Sequence, residues 1–160
     1  MAATSVARGD AAPGAGVRMG WREDLVTAAL AAWLVVGLFV DGWAHNTRPL
    51  LETFFTPWHA VFYSGFAALA TWVGWSVSRR RRPGLSWRAA VPPGYGLAVV
   101  GLGLFLASGV GDMAWHLVFG IEQDIDALLS QTHLGLFLGA LLAVTAPLRS
   151  AWADPASDRR

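Results

Sequence analysis

The residues with the greatest chemical reach in this chain are its four histidines, and each stands at a fixed spacing from a carboxylate. Asp41 precedes His45 by four positions and Glu52 precedes His59 by seven, while Asp112 precedes His116 by four and Asp126 precedes His133 by seven. A helix brings residues four apart onto one face with Cβ atoms about 6 Å from each other, so each Asp-x-x-x-His pair sets a carboxylate beside an imidazole. That is half of a metal site, and the chain offers it twice. Two imidazoles and one carboxylate suit a divalent ion such as copper, zinc or iron, with positions left open for water or substrate. The spacing therefore nominates Asp41, His45 and His59 as one ligand set and Asp112, His116 and His133 as another. Glu52, Glu122, Asp124 and Asp126 are candidates to orient ligands or, for Glu52 and Asp126 in particular, to act as a general base. A solvated loop is the simpler reading of Glu122, Asp124 and Asp126.

A single histidine at a helix end is ordinarily just hydrogen-bonded or wet. Ligation is favoured here because no histidine falls outside the two matching frames. The match extends to the preceding residues, with Thr56 three before His59 and Ser130 three before His133. Thr56-Pro57 is a helix start, the threonine as cap and the proline at the first helical position, which places His59 in a first turn. The chain has no cysteine. Disulfides and thiol chemistry are excluded, and a metal must be held by nitrogen and oxygen.

The elements that must carry these residues are apolar. With 54% hydrophobic and 14% charged residues, the composition is that of an integral membrane protein. Four apolar segments, at about 25–41, 58–77, 95–115 and 132–148, approach the roughly 20 residues needed to cross a hydrocarbon core. Spans of this length default to helices, because backbone groups in lipid must be paired within the segment. The expected fold is all-α: an integral membrane bundle of four transmembrane helices built from two repeated helical hairpins, 25–77 and 95–148. The hairpins are joined by an Arg-rich loop, 78–94. This domain, 21–149, follows a disordered segment at 1–20 and precedes a tail at 150–160; no cleaved signal peptide is expected at the N-terminus.

All twelve basic residues are arginine. Arg8, Arg18 and Arg22 precede the first span, Arg79 to Arg82 and Arg88 lie in the central loop, and Arg149, Arg159 and Arg160 follow the fourth span. Only Arg48 falls on the other side. The positive-inside rule places both termini and the central loop in the cytoplasm of a cell-membrane, multi-pass protein, and all four histidines near the outer boundary. The arginine run is read first as this topology signal, and second as an anionic-lipid contact. Trp43, Phe54, Phe55, Trp58, Trp115 and Phe119 gather at the outer boundary as interfacial anchors. Gly101, Gly103, Gly109 and Gly111 are expected to let the third helix pack closely. The expected partners are the lipid bilayer and either further copies of this chain or other membrane subunits, with no nucleic acid.

The order Asp41-x-x-x-His45, Glu52-Thr53, Phe55-Thr56-Pro57-x-His59 and Phe62-Tyr63 resembles the C subunit of copper membrane monooxygenases, the particulate methane and ammonia monooxygenase family. The resemblance implies Asp41, His45 and His59 as copper ligands. That family has a second site with an Asn-x-x-x-His and a later His, which Asp112, His116 and His133 resemble with Asp in place of Asn. Where the family carries Arg-Asp-Thr-Asp, this chain has Leu51-Glu52-Thr53-Phe54. By this resemblance the chain is a copper-bearing oxidative enzyme or subunit. The residues alone leave open a zinc-dependent intramembrane hydrolase with Glu52 as base, a non-enzymatic metal-handling protein, and bis-histidine haem ligation.

Overall fold

The computed structural model describes residues 18–48, 54–120 and 129–153. Glu52, Glu122, Asp124 and Asp126 lie outside the described residues, as do Arg8, Arg159 and Arg160. Among the described residues the fold is all-helical. The elements are α1 (Trp21–Thr47), α2 (Pro57–Arg80), the short α3 (Trp87–Ala90), α4 (Gly96–Phe119), α5 (Gln131–Val144) and α6 (Ala146–Trp152). Four stretches are long and apolar enough to cross a membrane: α1, α2, α4 and the run Gln131–Trp152 formed by α5 with α6.

The helix ends are fixed by local chemistry. The cap expected before His59 is present: the Thr56 hydroxyl accepts the His59 backbone N–H at 3.1 Å, with Pro57 opening α2. Ser130 accepts the His133 N–H in the same way at 3.3 Å and opens α5. At its C-terminus α1 continues past its apolar segment through the polar residues 42–47. Asn46 and Thr47 donate their side chains back to the carbonyls of Gly42 and Trp43, so the polar end of α1 hydrogen-bonds to its own helix. Helix α4 likewise runs on to Phe119 and stops at Gly120, whose φ of 84° suits a residue without a Cβ. The fourth apolar segment is interrupted at Thr145, because Pro147 has no N–H to continue the ladder. Arg149 compensates there, donating to the Leu142 carbonyl at 2.5 Å, to Thr145 Oγ1 at 2.6 Å and to the Gly94 carbonyl at 3.0 Å.

Helix α1 lies antiparallel to α2, and α4 antiparallel to α5, each pair brought together at glycines. A Cβ on Gly65 would fall 2.8 Å from Leu34 Cα, and one on Gly37 would fall 2.7 Å from Phe62 Cα. In the second pair Gly101 and Gly139 face one another, each hypothetical Cβ within 2.7 Å of the other residue's carbonyl oxygen. Gly103, expected to share this role, has nothing within 4 Å of its Cβ position. Between the pairs, Phe105 of α4 stacks on Phe66 at 4.4 Å and meets Phe62 edge-on at 5.4 Å. The core continues through Leu34, Leu69, Ala98 and Leu136. The outer faces are apolar too, with Phe39, Val118 and Leu148 each more than two-thirds exposed.

At the end of the bundle away from the histidines, polar groups tie three helices together. Glu23 of α1 pairs with Arg79 and, at 2.5 Å, with Arg80 of α2. Arg80 also donates to the Arg18 and Ser76 carbonyls. The Tyr95 hydroxyl sits 2.7 Å from Asp24 Oδ1 and 2.9 Å from Thr27 Oγ1, and Trp72 Nε1 donates to the same Thr27 oxygen.

Candidate metal centre

The first set assembles across the α1–α2 contact. Asp41 and His45 share a face of α1 one turn apart, and the antiparallel packing at Gly37 and Gly65 lays the first turn of α2 beside them. Asp41 Oδ2 lies 3.5 Å from His45 Nδ1 and 3.7 Å from His59 Nε2. The second set assembles across the α4–α5 contact, with Asp112 Oδ1 3.6 Å from both His116 Nε2 and His133 Nε2. In each set one ligand atom per residue lies within 4.8 Å of the others. The structure thus brings together all six residues nominated by spacing, three and three.

These separations are informative. At 3.5–3.7 Å they are long for hydrogen bonds to a carboxylate. Two ligand atoms that share a metal at about 2.0–2.1 Å with tetrahedral angles lie roughly 3.3 Å apart. The groups therefore surround a point more than they bond one another. Two orphaned atoms agree: Asp41 Oδ1 and His116 Nε2 are buried and have no hydrogen-bond partner. Buried polar atoms are nearly always satisfied, and a cation would satisfy these. Asp41 and Asp112 are themselves 8% and 2% exposed, a burial that carboxylates tolerate when they are paired or bind a metal. The residues present fit a divalent metal at each set.

The rings are held by their other nitrogens. His116 Nδ1 donates to the Gly120 carbonyl at 3.2 Å, which leaves Nε2 with the lone pair. His59 and His133 place Nδ1 against their own caps, 3.0 Å from Thr56 Oγ1 and 2.8 Å from Ser130 Oγ. A donor bond from Nδ1 to the cap hydroxyl turns Nε2 toward the carboxylate, the orientation that ligating histidines require. His45 differs, because its Nδ1 is both the nitrogen nearest Asp41 Oδ2 and the donor to the Asp41 carbonyl at 2.9 Å. Ligation through Nε2 keeps that bond; ligation through Nδ1 gives it up.

The two sets adjoin. The His59 and His116 rings are 6.4 Å apart between centroids, and Phe54 lies against both, stacked on His59 at 4.6 Å and 6.1 Å from His116. Sequence reasoning placed Phe54 in an interfacial belt; it is 8% exposed and forms part of the wall of the paired site. Its position immediately before the Phe55-Thr56-Pro57 helix start was the available signal. Thr132 was also missed, and it donates to Asp112 Oδ1 at 3.1 Å. Arg48 lies 5.8 Å and 5.9 Å from the ring centroids of Trp43 and Trp58, which gives these two tryptophans a cation to hold.

No family model matches the chain, and neither a curated protein nor a solved structure matches it.

Proposed function

We propose that this chain is an integral membrane protein that binds copper at two adjoining Asp/His/His centres and serves oxidative chemistry, as a reduced relative of the C subunit of copper membrane monooxygenases. The observation that carries the metal reading is the pair of buried carboxylates, each flanked by two histidine nitrogens at 3.5–3.7 Å with orphaned atoms at both sets. Copper is preferred over zinc and iron on the motif resemblance through His59 and Phe62-Tyr63. The apolar outer faces support a bilayer surrounding, since helices apolar all round bury themselves in protein or lipid. Both centres sit at the end of the bundle opposite Arg79 to Arg82, which supports centres on the outer side and arginines in the cytoplasm. The two antiparallel pairs, each carrying one set, support an origin in a repeated hairpin.

In this reading Asp41, His45 and His59 hold one ion, and Asp112, His116 and His133 hold a second. Bound copper supplies redox chemistry with dioxygen. The chain's own residues fix the geometry: the caps Thr56 and Ser130 orient two rings, backbone carbonyls orient the others, and Phe54 walls the pair on its buried side.

The test is elemental analysis of protein purified in detergent, wild type beside His59→Ala and His133→Ala. Two coppers per chain, each lost with its own histidine, is the expected result. Zinc alone would replace the copper reading with that of a hydrolase, and no metal after reconstitution would overturn both.

A further inference from the structure

At the end of the bundle away from the histidines, the described residues include eight arginines and only two carboxylates, Glu23 and Asp24. Both carboxylates are engaged. Glu23 pairs with Arg79 and Arg80, and Asp24 accepts the Tyr95 hydroxyl at 2.7 Å. Arg149 is bonded to the Leu142 and Gly94 carbonyls and to Thr145. Arg81, Arg82 and Arg88 are exposed, and no carboxylate among the described residues pairs with them. They sit on an ordered connection between α2 and α4. The Leu85 N–H donates to the Arg82 carbonyl at 3.0 Å across a Pro83-Gly84 turn with φ of 83° at Gly84, and the Ser86 hydroxyl caps α3. Ala90 and Pro92 anchor the connection in the interior. Arg81 lies over the half-exposed Trp87 ring, 4.5 Å from its centroid, which brings it to the residue that precedes Arg88.

We propose that Arg81, Arg82 and Arg88, with Trp87, form a binding site for the headgroup of an anionic phospholipid. Charge sets the sign of the ligand, since no acid of the chain is left to pair with these three. Guanidinium geometry suits the phosphodiester, whose oxygens accept from the planar fork. Position sets the source. The connection runs from the end of α2 at Arg80 to the start of α4 at Gly96, two helices apolar enough to span, and half-exposed Trp75 and Trp87 flank it as rings at a lipid boundary do. The site rests on the bilayer reading above and is independent of the metal.

The experiment titrates the full chain in detergent with dioctanoyl phosphatidylglycerol and dioctanoyl phosphatidylcholine and counts bound lipid by native mass spectrometry. Wild type is expected to bind the phosphatidylglycerol more tightly. Arg81→Gln, Arg82→Gln and Arg88→Gln should each weaken it about fivefold, the share of one arginine beside an anionic headgroup, and leave the phosphatidylcholine unchanged. Arg22→Gln removes the same charge from the same end, where Arg22 lies over Trp21 at 5.3 Å, and should change binding by less than about twofold. Equal affinity for the two lipids in wild type would overturn the proposal. So would an Arg22→Gln loss as large as that of Arg88→Gln, which would mean a diffuse field and no site. Displacement of the phosphatidylglycerol by millimolar inorganic phosphate would assign the arginines to a soluble anion and overturn the lipid. Reconstitution into nanodiscs of phosphatidylcholine separates the two readings. A chain that enters them yet has no preference for phosphatidylglycerol loses this site and keeps the bilayer; a chain that enters none loses both.

Discussion

At the residue scale the two caps do double duty. Thr56 and Ser130 each start a helix and meet the Nδ1 of the histidine three residues on. Thr56→Ala should therefore cost about 1 kcal/mol in stability, as a lost cap does, and also weaken the first centre by roughly tenfold to a hundredfold, as a lost orienting bond does. Competitive metal titration should show the second centre unchanged; an unaltered first centre would reduce Thr56 to a cap. His45 and His59 also separate. His59 is 5% exposed and aims Nε2 at Asp41, whereas the His45 side chain is 23% exposed and its nearest nitrogen is engaged with a carbonyl. His59→Ala should accordingly lower first-centre affinity more than His45→Ala, measured by the same titration, and the reverse order would show that His45 is the anchoring ligand. The Asp41–His45 and Asp112–His116 pairs and the caps before His59 and His133 were legible in the sequence because helical spacing and helix starts fix them locally. The place of Phe54 against both centres was not, since it depends on how the two pairs of helices meet.

At the element scale, spacing and hydropathy anticipated four long helices and their rough centres, but not where polar ends would prolong them or a proline interrupt them. The apolar segment ends at about 41, yet α1 stays wound through the polar residues 42–47, as the Asp41–His45 pairing requires. That extension matters to the site, because His45 reaches the first centre only while α1 is still wound. The glycines were legible as a class and not one by one: facing is decided by rotation of each helix, which composition does not report. Gly65 and Gly103 make the difference measurable. A Cβ on Gly65 would meet the backbone of Leu34 at 2.8 Å, while at Gly103 it would meet nothing within 4 Å. Gly65→Ala forces α1 and α2 apart, and overpacking of about 1–3 kcal/mol outweighs a helix-propensity gain of up to about 1 kcal/mol. Gly103→Ala keeps only the gain. Thermal unfolding in detergent should therefore move in opposite directions for the two variants, with weakened metal uptake at the first centre in Gly65→Ala alone. A destabilised Gly103→Ala would show that this face of α4 packs against something beyond the chain.

At the scale of the whole molecule, the polar groups are segregated to two ends of an apolar bundle, with paired carboxylate–histidine sets at one end and the Glu23, Arg79 and Arg80 cluster at the other. Either end can hold α1 against α2, so the two are separable experimentally. Arg80 has 7% of its side chain exposed and Glu23 18%. Glu23→Gln leaves that guanidinium with carbonyl partners alone and should destabilise by about 3 kcal/mol, the low end for breaking a buried pair because Glu23 is partly solvated. At the opposite end, a metal that binds only the folded chain stabilises it by about 2.7 kcal/mol when present at a hundred times its dissociation constant. For a chain of 160 residues that corresponds to roughly 5–10 °C in Tm per centre. A chelator should therefore lower the Tm of wild type by the contribution of both centres and that of His59→Ala by the second alone. The double variant His59→Ala with His133→Ala should be insensitive to it. Glu23→Gln should start lower and lose the same amount as wild type. Sensitivity to chelator in the double variant would place the stabilising ion elsewhere. A loss in Glu23→Gln much larger than in wild type would mean that the two ends are coupled through α1, so that the polar cluster helps set the alignment on which the first centre depends.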